Sequence, residues 1–254
     1  MAGKQGIIFG VANHRSIAWA IARSLAAEGA ALAITYQNER LGQSVRALVD
    51  ESEMQARAFQ CDVASDQEIA HLYQEVGEYF NGRLDFLVHS LAYAPQDDLK
   101  GRYVETTREG FRVALDISAY SLIAVTQAAL PLMTQGGSII TMTFFGGQRA
   151  MPSYGIMGTA KAALEHEVMV LAAELGEQGI RVNAISAGPL NTLAARGLRD
   201  FTRLRDYHRE RAPLQRSVDP VEVGKAAVFL CSDASSATTG HVLFVDAGYN
   251  IMGY

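Results

Sequence analysis

Seven short apolar runs punctuate this chain, and stretches of helical length separate them. The runs are residues 5–9, 31–36, 56–60, 85–89, 138–143, 181–186 and 241–245. Helices are expected at 16–28, 38–50, 66–80, 107–133, 154–175 and 220–230. In the first of these Ile17, Ala20, Ile21 and Leu25 recur at helical spacing, and Gly29 closes it. Strands alternating with helices require a parallel sheet, because parallel neighbours cannot be joined by a tight turn and their crossovers are right-handed. The expected fold class is therefore α/β: a single doubly wound domain over 1–254 with a seven-stranded parallel sheet. A helical insertion near 190–216 interrupts the last crossover. No repeat or low-complexity linker divides the chain.

Ligands of such sheets bind beyond the carboxyl ends of the strands. Gly10, Asp62, Ser90, Thr143 and Gly188 all follow strands and so share one crevice. The first turn, Gly10-Val11-Ala12-Asn13-His14-Arg15-Ser16-Ile17, is not GxGxxG. It does place a glycine at the strand end and a hydroxyl at the helix start, where backbone N–H groups and the helix dipole can hold a pyrophosphate. An ordinary strand-to-helix turn has the same form. The second conspicuous segment runs from Pro152 to Lys161 and holds Tyr154 and Lys161 seven residues apart. Pro152 forbids much helix before it, and Ser153 is available as an N-cap. Tyr154 and Lys161 then lie on nearly one helical face, roughly 10 Å apart along the axis. A neighbouring ammonium favours a phenolate, which would tune Tyr154 as a proton donor. The pair alone also recurs by chance.

Composition removes several function classes. A net charge of −5 and a pI near 5.7 argue against a general nucleic-acid binder. Cys61 and Cys231 form no CxxC pair, so neither a disulfide framework nor a zinc site is expected, and a reducing cytosol fits. The six histidines show no metal-ligand spacing. Residues 1–6 contain no apolar signal region, and no run is expected to span a bilayer.

Together the strand ends resemble the short-chain dehydrogenase/reductase family, and more narrowly the bacterial NADH-dependent enoyl-acyl-carrier-protein reductases. The resemblance rests on Thr35-Tyr36-Gln37-Asn38, Cys61-Asp62-Val63, Val88-His89-Ser90, Asp116-Ile117-Ser118-Ala119-Tyr120-Ser121, and the Tyr154–Lys161 and Arg181–Pro189 segments. Thr192-Leu193-Ala194-Ala195 and Phe229-Leu230-Cys231-Ser232-Asp233 extend it across the whole chain. It implies a Rossmann domain, NADH as cofactor, and reduction of a trans-2-enoyl thioester carried by an acyl-carrier protein. Gly10, Val11, Ala12, Ser16 and Ile17 would line the pyrophosphate and ribose. Gln37 would lie by the adenosine ribose, and Asp62 and Val63 by the adenine. Ser90, Leu91, Ala92 and Ile117 would flank the nicotinamide, and Ala187, Gly188, Pro189, Leu190 and Thr192 would hold its carboxamide end. Lys161 would bond the nicotinamide ribose and Tyr154 the thioester carbonyl, as the two catalytic residues. Tyr93, Phe144, Tyr154, Met157, Ala194, Leu198 and Phe201 would meet the substrate. A cytoplasmic homotetramer built on the 107–133 and 154–175 helices is also implied.

Some positions depart from that pattern. Phe144 stands where a second tyrosine is usual, Ala92 and Tyr93 replace a glycine and a phenylalanine, and Asn191 replaces a basic residue. All bear on the substrate, so a specialised enoyl reductase of a secondary pathway is an alternative. A ketoreductase or alcohol dehydrogenase is another: that chemistry places a serine thirteen residues before the tyrosine, and Thr141 keeps the hydroxyl there. A cofactor-binding regulator without turnover is the third. Tyr36-Gln37-Asn38-Glu39 ends neutral and then acidic, which disfavours a 2′-phosphate, with Arg40 the cation near it. Residues 196–216 carry seven arginines against Asp200, Asp206 and Glu210, a basic segment suited to an acidic carrier protein.

Overall fold

The computed structural model describes residues 1–192, 195 and 200–253. Seven strands form one all-parallel sheet: β1 (Gln5–Phe9), β2 (Ala31–Tyr36), β3 (Ala56–Gln60), β4 (Phe86–His89), β5 (Gly137–Thr143), β6 (Ile180–Ala187) and β7 (Val242–Val245). Their order is β3-β2-β1-β4-β5-β6-β7, so the chain reverses direction across the sheet between β1 and β4. Both sheet faces are covered, which is why the strands read as continuous apolar runs. Successive residues point to opposite faces. Ile7, Leu87 and Ile139 enter one core with Leu72, Leu122 and Leu164. Ile8, Val88 and Ile140 enter the other with Ile21, Val45 and Leu230.

The helices are α1 (Ile17–Ala27), α2 (Glu39–Asp50), α3 (Asp66–Tyr79), α4 (Gln96–Lys100), α5 (Arg108–Leu115), α6 (Ser121–Ala129), α7 (Ile156–Leu175), α8 (Phe201–Arg211) and α9 (Pro220–Cys231). Asn38 and Thr107 cap α2 and α5 through their side chains, as local sequence demands. The expected continuous helix over 107–133 is instead broken. A π-helical turn at Asp116–Tyr120 separates α5 from α6, and a 3-10 turn follows at Leu130–Leu132. The π turn brings Ser118 inward, where it exchanges hydrogen bonds with the backbone N–H and carbonyl of Tyr93, both 2.9 Å. The short α4 was not anticipated. Contrary to the expectation that no run could span a bilayer, the helical stretch Arg108–Leu132 is long and apolar enough by length and composition. Half of its most apolar window is buried within the protein, as in a core helix.

Across the switch point the strands are tied by a buried histidine. His89 ends β4, and its Nδ1 lies 2.8 Å from Thr141 Oγ1 on β5 and its Nε2 2.8 Å from Ser121 Oγ on α6. Burial, and secondarily the charge of Lys161, pull its pKa down to about 3. The folded state therefore binds this proton less readily than the unfolded chain, so stability is present above the ordinary histidine pKa and is lost as pH falls below it. Urea midpoints are expected to drop between pH 7 and pH 5, His89 contributing up to about 1.4 kcal/mol per pH unit. A His89→Gln variant should show a flatter dependence over that range, and equal slopes for the two proteins would contradict it.

Candidate active site

The crevice begins at the end of β1. Gly10 has φ +98, and an added Cβ would collide with the Ser90 carbonyl oxygen, so only glycine lets the two strand ends approach. Beyond it Ser16 Oγ accepts from the N–H groups of Ala12 and Asn13 at 3.0 and 3.2 Å. That hydroxyl closes the turn rather than capping the helix. The N–H groups of Ile17 and Ala18 are left without partners among the described residues, at the positive end of the α1 dipole. These amides suit a pyrophosphate. Val11 is buried beneath the turn.

At the ends of β2 and β3, Gln37 Nε2 donates to Asp62 Oδ2 at 3.0 Å, bringing together two residues expected at opposite parts of one adenosine. Asp62 also accepts from the Ala64 N–H, so it serves as a turn residue as well. Val63 packs against the core beside it. Glu39 is not a lone acid: Arg46 binds its carboxylate and also donates to the Tyr36 hydroxyl at 2.6 Å. On the far side, Ala187, Gly188, Pro189 and Leu190 are buried beyond β6, and Thr192 Oγ1 accepts from the Ala195 N–H at 3.1 Å. Ser90, Leu91 and Ile117 are half-buried, and Ala92 is exposed.

The surroundings of Tyr154 and Lys161, the pair expected to be catalytic, differ in detail from the sequence expectation. The helix begins at Ile156, and Tyr154 lies in the turn before it. Ser153 has φ +63 and cannot be the N-cap, which is Gly155. Lys161 lies in the first turns of α7, 4% exposed, and donates to the carbonyls of Met142 at 2.7 Å and Leu91 at 3.3 Å. An ammonium has three protons, so one is left for a ligand in the crevice. Burial depresses its pKa to about 8, against the pull of Glu165. Tyr154 is not driven toward phenolate. Burial, and then the Glu165 charge, push its pKa above the ordinary phenol value, so the phenol keeps its proton.

Tyr154 is seated by its neighbours. Phe144 lies against it with ring centroids 4.8 Å apart, and Met157 and Ala160 complete the cluster. A Cβ on Gly146 would collide with the tyrosine ring, and one on Gly147 would come within 3.1 Å of Lys161 Cβ. Those glycines allow the loop after β5 to press on the start of α7. Tyr93, expected to meet the substrate, is 55% exposed, and its ring pairs with neither Phe144 nor Tyr154 among the described residues. Ala194 and Leu198 lie outside the described residues. Phe201 lines an open cleft of about 840 Å³ on α8 with Asn191, Arg203 and Tyr207. That cleft reaches neither Tyr154 nor Lys161. Among the described residues no cluster of three metal-ligating side chains occurs.

The sequence reading missed His89, Glu165, Gln148 and the pair Gly146-Gly147. Glu165 had one visible signal, its place four residues after Lys161 on a helix. Its Oε1 accepts from Thr143 Oγ1 and its Oε2 from Gln148 Nε2, each at 2.7 Å.

Known proteins share this arrangement over their full length. The enoyl-(acyl carrier protein) reductase family pattern matches residues 10–250. The NADH enoyl-acyl-carrier-protein reductase FabI of Bacillus cereus is 48% identical over 252 residues, 99% of this chain and 98% of that protein. A crystal structure of the Bacillus cereus enoyl-acyl carrier protein reductase with NADP+ and indole naphthyridinone superposes with a TM-score of 0.96 at 47% identity, covering 100% of this chain and 98% of that one. The enoyl-(acyl-carrier-protein) reductase of Anaplasma phagocytophilum in complex with NAD gives 0.94 at 40% identity, covering 100% and 94%. With the strand order, the closed β1 turn and the buried tyrosine and lysine, these likenesses establish that the chain belongs to the enoyl-acyl-carrier-protein reductase family.

Proposed function

We propose that this protein, one domain over 1–254, reduces the trans-2 double bond of an enoyl thioester on an acyl-carrier protein, using NADH, in fatty-acid biosynthesis. The observation that carries the reading is the 48% identity to an NADH enoyl-acyl-carrier-protein reductase across 99% of the chain. NADH, when bound, supplies the hydride that adds to the β-carbon of the thioester. The Ile17 and Ala18 amides face its pyrophosphate, Gln37 and Asp62 its adenosine, and the remaining Lys161 proton its ribose. Val11, Ala12 and Ser16 shape the phosphate turn. Leu91, Ile117 and the 187–190 segment wall the nicotinamide. The Tyr154 phenol donates a hydrogen bond to the thioester oxygen, on which negative charge grows as the enolate forms. A phenol that keeps its proton in a dry site is the donor this step needs.

The ketoreductase alternative loses support from Thr141. Its hydroxyl is fully buried and bound to His89, so it has no access to a carbonyl in the crevice. Removal of the phenol is expected to lower kcat with crotonyl thioester roughly 10²–10³-fold in Tyr154→Phe while NADH binding persists, because the lost bond forms mainly in the transition state. Because Tyr93 is exposed, adding Tyr93→Phe should cost little more. Near-normal turnover of the Tyr154→Phe protein, or turnover with acetoacetyl but not crotonyl thioester, would reject the assignment.

NADH is the expected cofactor over NADPH. Arg46 is already held by Glu39 and Tyr36, and the Asp62 carboxylate beside Gln37 repels a 2′-phosphate, with the exposed Arg40 the cation that would favour one. Measured kcat/KM should favour NADH, and equality or reversal would contradict this.

The carrier protein is expected at the basic face of α8. Arg216 is engaged by Glu222 at 2.6 Å, Arg211 stacks on Tyr207, and Arg205 and Arg209 both lie 3.6 Å from Asp206. Arg203, at the cleft, makes no ion pair among the described residues. The reading includes a cytoplasmic homotetramer: the free Cys61 and Cys231 suit a reducing compartment, and the exposed Phe111, Ile123, Met169 and Val170 on α5, α6 and α7 suit an association face. Charge reversal at Arg203 and Arg205 should raise KM for carrier-bound substrate and leave a coenzyme A thioester unaffected. Equal effects on both would remove the docking role.

A further inference from the structure

Lys161 and Glu165 stand one turn apart on α7, and both are buried, 4% and 9% exposed. They grip adjacent residues of β5. Lys161 Nζ holds the Met142 carbonyl, and Glu165 Oε1 holds the Thr143 hydroxyl. The second carboxylate oxygen holds Gln148, which ends the 3-10 turn Phe145–Gly147 leading toward Tyr154. Nothing in the hydride-transfer chemistry requires an acid at this place. Both oxygens are nevertheless met by donors, the Thr143 hydroxyl and the Gln148 amide. We propose that Glu165 is a positioning residue whose buried negative charge, one turn along α7, keeps Lys161 protonated, so that the lysine remains a hydrogen-bond donor to the cofactor.

The surroundings of Lys161 make Glu165 its counter-ion. His89 on β4 is neutral, and Tyr154 is un-ionised. Asp98 on α4 is bound to Thr107, and Asp116 on the π turn faces Arg112. Glu165 is the anion that raises the lysine's proton affinity against burial. Without it a lysine already depressed to about 8 would lose its proton closer to neutral pH, and its bond to the ribose would weaken.

This inference rests on the reading that Lys161 binds NADH, and the experiment separates the two. NADH affinity is measured by fluorescence from pH 6 to pH 9.5 in the wild type and in Glu165→Gln. The glutamine keeps both contacts, accepting from Gln148 and donating to Thr143 Oγ1, and removes only the charge. Failure of the wild type to bind NADH at pH 6.5 would overturn the cofactor reading itself. With binding intact, Glu165→Gln should be within about threefold of wild type at pH 6.5 and about fivefold weaker at pH 8, its alkaline limb moved about one unit toward acid. An unmoved alkaline limb, or equal weakening at every pH, would overturn the charge role. If Glu165→Gln does not melt cooperatively, Glu165→Asp replaces it: the charge stays while the contacts to Thr143 and Gln148 are lost or lengthened, so the alkaline limb should stay within about 0.3 unit of wild type, and a limb moved about a full unit overturns the charge role.

Discussion

A lysine ammonium taken out of water must be resolvated by protein, and the site depends on how this is done for Lys161. Two backbone carbonyls replace part of its water, and the charge of Glu165 favours the ammonium without bonding it. The carbonyls belong to Met142 on β5 and Leu91 after β4, so satisfying one charge joins two strand ends to one helix. The same joint sets the geometry of the crevice. Moving α7 by the length of a hydrogen bond would strip the buried ammonium of both carbonyls, at a cost far above that of breaking a surface ion pair.

Around that joint, backbone and small residues do as much as reactive side chains. Gly146 and Gly147 admit Tyr154 and Lys161 to the floor of the crevice because no Cβ stands in the way. Phe144 fills the tyrosine's flank with a ring, adding packing but no second phenol. His89 draws the Thr141 hydroxyl into the sheet, away from the crevice. One consequence is a crevice specialised by subtraction: competing hydroxyls are spent on the fold.

The adenosine end follows a different rule. There Gln37, Asp62, Glu39 and Arg46 sit near solvent, and their ion pairs contribute little to stability. Their effect is on what can approach, since a paired arginine offers less to a phosphate than a free one. The contacts at this end are exposed and salt-sensitive, whereas those around Tyr154 and Lys161 are buried.

The alternation of apolar runs and helical stretches was enough to determine the sheet, because burial on both faces writes itself into consecutive Val, Ile, Leu and Phe. β1, β2 and β3 have the bounds read from sequence, and Gly10, Tyr154 and Lys161 were legible as strand-end and helix-start residues. Local sequence did not disclose where the helices bend. The π turn at Asp116–Tyr120 is selected by the long-range bonds of Ser118 to Tyr93, which helical periodicity does not encode. Nor did it disclose the protonation of Tyr154: spacing brought a lysine into view but not the burial or Glu165, which together outweigh it. The residues missed, His89, Glu165 and Gln148, act across strand–helix packing. Their partners are 17 to 52 positions away in sequence, and only the folded chain brings a buried charge and its compensating donors together.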